Sequence, residues 1–96
     1  EKPAVLQRFS DPDKEKDERK RRYEMHRMLL DDYKSVLSGE RNVLFKMKEI
    51  WFYMSQDFTM SQYYWKKMKK AQKLSEFEQA VDALCREQML LERTKI

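Results

Sequence analysis

Hydrophobic positions recur at helical spacing through most of this chain, and they are densest between residues 43 and 54. Val43, Met47, Ile50, Trp51 and Met54 fall at i, i+4, i+7, i+8 and i+11, which is the spacing of one buried helical face. The aromatic and aliphatic residues between them widen that face until few polar positions remain. The pattern therefore predicts a central helix over about 40–55 that neighbours cover on several sides.

A long first helix is predicted from about Pro12 to about Leu37, with Ser10 or Asp11 as its cap. Its opening is almost wholly charged and is predicted to project beyond the core. Gly39 is predicted to end it in the left-handed C′ conformation. The predicted inward face consists of Met25, Met28, Leu29, Tyr33, Val36 and Leu37, with Leu30 at its margin.

Two capping boxes predict the remaining helices. The T-x-x-Q pattern at 59–62 starts a third helix that ends near residue 71 or 72. The S-x-x-E pattern at 75–78 starts a fourth, whose apolar side is Phe77, Val81, Leu84, Gln88 and Leu91. Residues 1–11 have no usable period and contain Pro3, so they are predicted to be a linker or tail. The predicted fold class is all-α, a small helical bundle of about four helices over residues 12–96.

Composition supports that class and limits the function. One glycine and two prolines among 96 residues leave little turn chemistry for a sheet. A chain this short is also too small for a two-domain nucleotide-dependent enzyme. The single cysteine, Cys85, allows no internal disulfide and indicates a reducing compartment. With no apolar run of membrane length, the prediction is a soluble, cytoplasmic protein with no membrane partner. A start at Glu1 suggests part of a longer protein.

Candidate catalytic and metal-binding groups are few. His26 is the only histidine and Cys85 the only cysteine, and neither has a partner at metal-ligand or nucleophile spacing. Asp31 and Asp32 are adjacent and diverge by about 100° on a helix. We therefore expect a packed or surface histidine, a buried or half-buried thiol, and no catalytic residue, metal or cofactor within this segment.

The positive charge is concentrated in residues 59–75, which contain five lysines and no acidic residue, whereas the whole chain has a net charge of +4. Four of these lysines fall at i, i+3, i+4 and i+7: Lys66, Lys69, Lys70 and Lys73. One helical face with four cations matches backbone phosphates, and Trp65 or Tyr63 beside it can stack on an unpaired base. A solvated helix face is the alternative. The run at 19–22 is weighted lower, because Glu15 and Glu18 can pair with Arg19 and Arg22.

Four short motifs, in order, resemble the C-terminal helical domain of tRNA-dihydrouridine synthases. They are H-x-x-L-L-x-x-Y at 26–33, G-E-R at 39–41, M-K-E-I-W-F-Y-M at 47–54 and W-K-K-M-K-K-A-Q-K-L-S-E-F at 65–77. The resemblance covers roughly residues 22–84. It implies that a TIM barrel with FMN precedes this bundle in the same chain. The bundle then holds tRNA while the FMN of the barrel, reduced by NADPH, reduces a uridine.

The resemblance also implies RNA-binding positions on the central helix. Many members carry G-E-R-R before that helix and R-K-H within it. Arg41 matches the first motif and Lys48 matches the lysine of the second, while Met47 and Glu49 occupy the flanking positions of the second. Lys46 is a possible substitute. Together with the lysines predicted from their helical spacing, the predicted RNA-binding set is Lys66, Lys69, Lys70, Lys73, Arg41, Lys48 and Lys46. The barrel's cysteine, FMN contacts and NADPH site have no counterparts in this segment.

Two other function classes stay open at this level. A protein-interaction bundle would dock a partner helix on exposed methionine and aromatic residues, with binding that ignores salt. A purely structural cap on a larger enzyme would tolerate charge reversal at the lysines.

Overall fold

Periodic helix-forming segments separated by three short connections set the architecture. The computed structural model describes residues 4–95, and side chains from Val5 to Arg93. The order of elements is β1 (Ala4–Arg8), α1 (Pro12–Val36), α2 (Glu40–Met54), a 3-10 turn (Ser55–Asp57), α3 (Ser61–Lys70), α4 (Leu74–Glu87) and β2 (Leu91–Lys95). The predicted small four-helix bundle is confirmed, with a two-stranded ribbon added to it. No helix among the described residues is both long and apolar enough to cross a membrane.

The predicted start of α1 is confirmed in detail. The Asp11 carboxylate accepts a hydrogen bond from the Asp13 N–H at 2.9 Å, and Pro12 occupies the first turn. At the other end the helix stops at Val36. Gly39 does have a positive φ of 87°, but with ψ at 141° it starts α2 instead of closing α1. The predicted C′ role of this glycine was therefore wrong.

The core lies where the four helices meet, around Trp51, Met47, Phe77 and Leu84, which are fully buried. The inward face of α1 is rotated from the prediction, because Met25, Met28 and Val36 are exposed. His26 and Leu30 are buried instead, and the imidazole Nδ1 of His26 accepts a hydrogen bond from the Trp51 indole N–H at 2.9 Å. This hydrogen bond explains how the inner face of α1 can bury a polar side chain.

The two chain ends form an antiparallel ribbon, with Ala4 opposite Lys95 and Arg8 opposite Leu91. Residues 4–8 are therefore a strand where a linker or tail was predicted. The predicted fourth helix was too long at its end, since α4 stops at Glu87. Both strands are short, and each is stabilised by pairing with the other. The hydrophobic pattern of neither segment indicates this pairing.

The charged opening of α1 is part of the packed structure, contrary to the prediction that it projects. Glu15 is buried, and its carboxylate accepts a hydrogen bond from the Leu90 N–H at 2.8 Å. The same carboxylate forms an ion pair with Arg19 at 3.0 Å. Arg19 donates further hydrogen bonds to the carbonyls of Cys85 and Gln88. These bonds attach the start of α1 to the end of α4 and to the segment that enters β2.

Candidate nucleic-acid interface

Helix α3 places a row of lysines on the surface because its inner face is fixed by two buried residues. Tyr64 and Met68, at i and i+4, face the core. The helix begins after Met60, whose φ of 54° is left-handed, and the predicted T-x-x-Q cap does not form. The Thr59 hydroxyl instead donates to the side chain of Gln88 at 2.8 Å.

Lys66, Lys69 and Lys70 are exposed on α3. No acidic residue lies between Asp57 and Glu76 in the sequence. Among the ion pairs that join described side chains, none involves these three lysines. Their positive charge is therefore not compensated by an ion-pair partner among the described side chains. We call them the α3 lysine face.

Lys73 does not extend this face, although the i+7 spacing predicted that it would. The helix ends at Lys70, and Ala71 is extended with ψ at 129°. Lys73 precedes α4, and its backbone N–H donates to the Glu76 carboxylate at 3.0 Å. Glu76 also accepts from the Gln72 N–H at 2.9 Å, and these two bonds lower its pKa. Helix α3 therefore ends before the last turn that the i+7 position of Lys73 required.

Lys48 holds α2 against the end of α3. Its ammonium donates to the carbonyl of Lys69 at 2.9 Å and to the carbonyl of Ala71 at 2.7 Å. A cation at this position also opposes the negative end of the α3 dipole. The resemblance implied that Lys48 contacts RNA, whereas two of its three N–H donors already serve the fold.

The side chains at the other two RNA-binding positions predicted on α2 make fewer contacts within the fold. Lys46 is exposed and pairs with Glu49 at 3.3 Å, one turn along the helix. Arg41 is exposed in the first turn of α2, roughly 10 Å along the axis from Lys48.

An open groove of about 710 Å³ lies between α2 and α3. Four aromatic side chains, two lysines and a glutamate line it: Phe45, Phe52, Tyr53, Trp65, Lys48, Lys69 and Glu49. The ring centroids of Phe52 and Trp65 are 5.6 Å apart, and those of Phe52 and Tyr53 are 4.9 Å apart, both in edge-to-face contact. We call this feature the aromatic groove.

The sequence analysis predicted that neighbouring helices cover α2 on several sides, but three of these aromatic side chains are exposed. Phe45 is 58% exposed, Phe52 45% and Tyr53 68%. Helix α2 is thus buried on one side only, along Val43, Met47 and Trp51. The sequence did contain a sign of this exposure: the apolar face of α2 is wider than a bundle of this size can cover.

Tyr63, the other predicted stacking residue, lies apart from the groove. Its ring sits under the ammonium of Lys67 at 4.6 Å and meets the Tyr64 ring edge-to-face at 5.1 Å. Lys67 and Lys70 both line a different surface, beside α4. Of the two predicted aromatics, Trp65 is the one beside the lysines of the groove.

The arginine-rich run at the start of α1 is largely neutralised, as predicted. Arg19 pairs with Glu15, and Arg21 pairs with Glu18 at 3.1 Å. Arg22 pairs with Asp57 at 2.9 Å instead of with Glu18. Three of the four cations in this run are therefore paired within the described structure.

The candidate catalytic groups named from the sequence, His26 and Cys85, lie in packed surroundings. No group of three or more His, Cys, Asp or Glu side chains is placed to hold a metal ion within residues 4–95. His26 is packed against Trp51, and burial lowers its pKa to about 4. Burial raises the pKa of the half-buried Cys85 thiol to about 12, so the thiolate is scarce at neutral pH.

Comparisons with known proteins identify no relative. No protein-family model matches the sequence, and neither a curated protein nor a solved structure matches it significantly.

Proposed function

We propose that this chain is the tRNA-binding accessory domain of a flavin-dependent tRNA-dihydrouridine synthase. The observation that carries the RNA-binding part is the α3 lysine face, three exposed cations with no ion-pair partner in the described structure. The four sequence motifs supply the choice of tRNA and of the synthase. In this proposal FMN, NADPH and the reduction of uridine belong to an N-terminal barrel.

The physical basis is release of counterions from the RNA backbone. Each lysine that neutralises a phosphate contributes to affinity and to its dependence on salt. Lys66 and Lys69 stand beside the aromatic groove, and Lys70 stands on the side toward α4. A phosphate backbone crossing α3 would meet all three.

The test is a titration of the chain into labelled tRNA at several salt concentrations, with two charge-matched variants. One carries Lys66→Glu, Lys69→Glu and Lys70→Glu. The control carries Lys14→Glu, Lys20→Glu and Lys34→Glu, three exposed lysines of α1. Each triple variant changes the net charge by −6, from +4 to −2, so total charge is held constant between them.

We expect the α3 variant to lose most of its affinity and the slope of log K against log salt to fall by roughly 2–3. The α1 variant should keep most of that slope. Equal losses in both variants would show that net charge alone drives binding and would contradict the proposed face.

A second candidate function is the docking of a partner helix in the aromatic groove. The exposure of Phe45, Phe52 and Tyr53 favours it, since such a patch often marks a protein interface. It predicts no tRNA binding at low salt, with affinity for a protein partner that persists at high salt.

A further inference from the structure

We propose that the aromatic groove takes an unpaired nucleobase, so that this chain prefers single-stranded or looped RNA over a duplex. The inference rests on the proposed RNA binding and names the part of the RNA that this surface recognises.

The first step is that the groove presents ring surface to solvent. Phe52 and Tyr53 are in edge-to-face contact on α2, and Trp65 of α3 meets the Phe52 ring edge-to-face. The open groove has a volume of about 710 Å³, within the range of roughly 300–1,000 Å³ found for small-molecule sites in general. Every base offers a π-face, so such a site accepts any base that is not already stacked in a helix.

The second step is the charge around the rings. Lys69 lines the groove, and Lys66 lines the adjoining surface with Phe52 and Trp65. The acidic side chain lining the groove is Glu49, which is paired with Lys46. An apolar patch bordered by lysines suits a ligand that combines a flat apolar body with a phosphate, which describes a nucleotide.

The third step concerns rigidity. Lys48 joins α2 to the end of α3 through two hydrogen bonds, of 2.9 and 2.7 Å, to main-chain carbonyls. These bonds connect the two walls of the groove at one end before any ligand binds. A preformed site loses little conformational entropy on binding.

The two tryptophans allow a direct test. Trp65 is half-buried at the groove, whereas Trp51 is fully buried in the core. Stacking of a base on Trp65 should quench its fluorescence and leave that of Trp51 unchanged. The ligands are a single-stranded oligouridylate RNA and an RNA duplex with the same number of phosphates.

We expect the single strand to quench the fluorescence of the unaltered chain and not that of a Trp65→Phe variant. The duplex should bind through the lysines without quenching. Phe52→Ala should weaken single-strand binding by about tenfold and leave duplex binding unchanged. Tyr53→Ala, at a more exposed position, gives the same readout if Phe52→Ala disturbs folding. Tyr63→Ala, at an exposed ring outside the groove, is the matched control and should change neither affinity.

The outcomes separate the two proposals. Equal affinity for both RNAs, no quenching and no effect of Phe52→Ala or Tyr53→Ala would overturn base binding in the groove while RNA binding by the α3 lysine face stands. Absence of binding to either RNA at low salt would overturn both.

Discussion

At the scale of single residues, the most informative feature is the buried imidazole of His26. It is 1% exposed, and its Nδ1 accepts the Trp51 N–H, so the folded protein holds it neutral. Burial, together with the positive charge of Arg27, lowers its pKa from 6.5 to about 4. The unfolded chain therefore binds more protons than the folded one between pH 4 and 6.5. The contribution of His26 to stability is complete above 6.5 and is lost as the pH falls through this range.

We therefore predict that the free energy of unfolding falls by about 1 kcal/mol between pH 7.5 and pH 5.5. His26→Gln keeps an acceptor for the Trp51 indole and cannot titrate, so its stability should be flat over the same interval. Urea unfolding of both proteins at the two pH values measures the difference. Parallel losses in the two proteins would assign the pH dependence to other groups.

At the scale of elements, the junction between α2 and α3 is decided by one long-range contact. The break after Lys70 leaves main-chain carbonyls without helical partners, and Lys48 satisfies those of Lys69 and Ala71. The same break separates Lys73 from the lysines of α3. Sequence spacing alone could not reveal this, because the lysine spacing continues to residue 73 and the predicted helix to residue 71 or 72, whereas the helix ends at Lys70.

We predict that Lys48→Met lowers the free energy of unfolding by about 1–2 kcal/mol, since it leaves these carbonyls unpaired and removes a cation from the helix end. Lys46→Met on the same helix is the control. Its ion pair with Glu49 is exposed, so the expected change is within about 0.5 kcal/mol. Thermal or urea unfolding of the two variants compares them directly. A cost at Lys46 equal to that at Lys48 would mean that the carbonyl contacts contribute nothing.

At the scale of the whole molecule, buried acids connect the long first helix to the chain's end. The Asp57 carboxylate, only 7% exposed, accepts from Arg22 of α1 at 2.9 Å and from Arg93 of β2 at 2.6 Å. Glu15 makes a similar connection through Arg19 and the Leu90 N–H. These contacts join segments up to 75 positions apart.

We predict that Asp57→Ala lowers the free energy of unfolding by about 1–3 kcal/mol at pH 7, because two arginines lose their shared acceptor. Hydrogen exchange should also quicken in β1 and β2, which Arg93 helps to hold. Asp31→Ala, at an exposed position of α1, should change neither quantity. Unchanged exchange in the ribbon with Asp57→Ala would show that strand pairing does not depend on this carboxylate.

The candidate site was predictable in its charge and unpredictable in its shape. The excess of lysine over residues 59–75 is a property of composition, and the exposure of Lys66, Lys69 and Lys70 follows from the burial of Tyr64 and Met68 one face away. Which aromatic rings stay in the core and which reach solvent depends on how many helices cover α2. That number is a property of the packing.

The number and type of helices, a cap at Ser10 or Asp11 and the cationic segment followed from the sequence, because they depend on contacts within about one or two helical turns. Tertiary structure alone decided the pairing of the chain ends into a ribbon, the burial of Glu15 and Asp57, and the aromatic groove between α2 and α3. Each of these joins residues far apart in the chain, and local periodicity carries no information about which distant surface a residue meets.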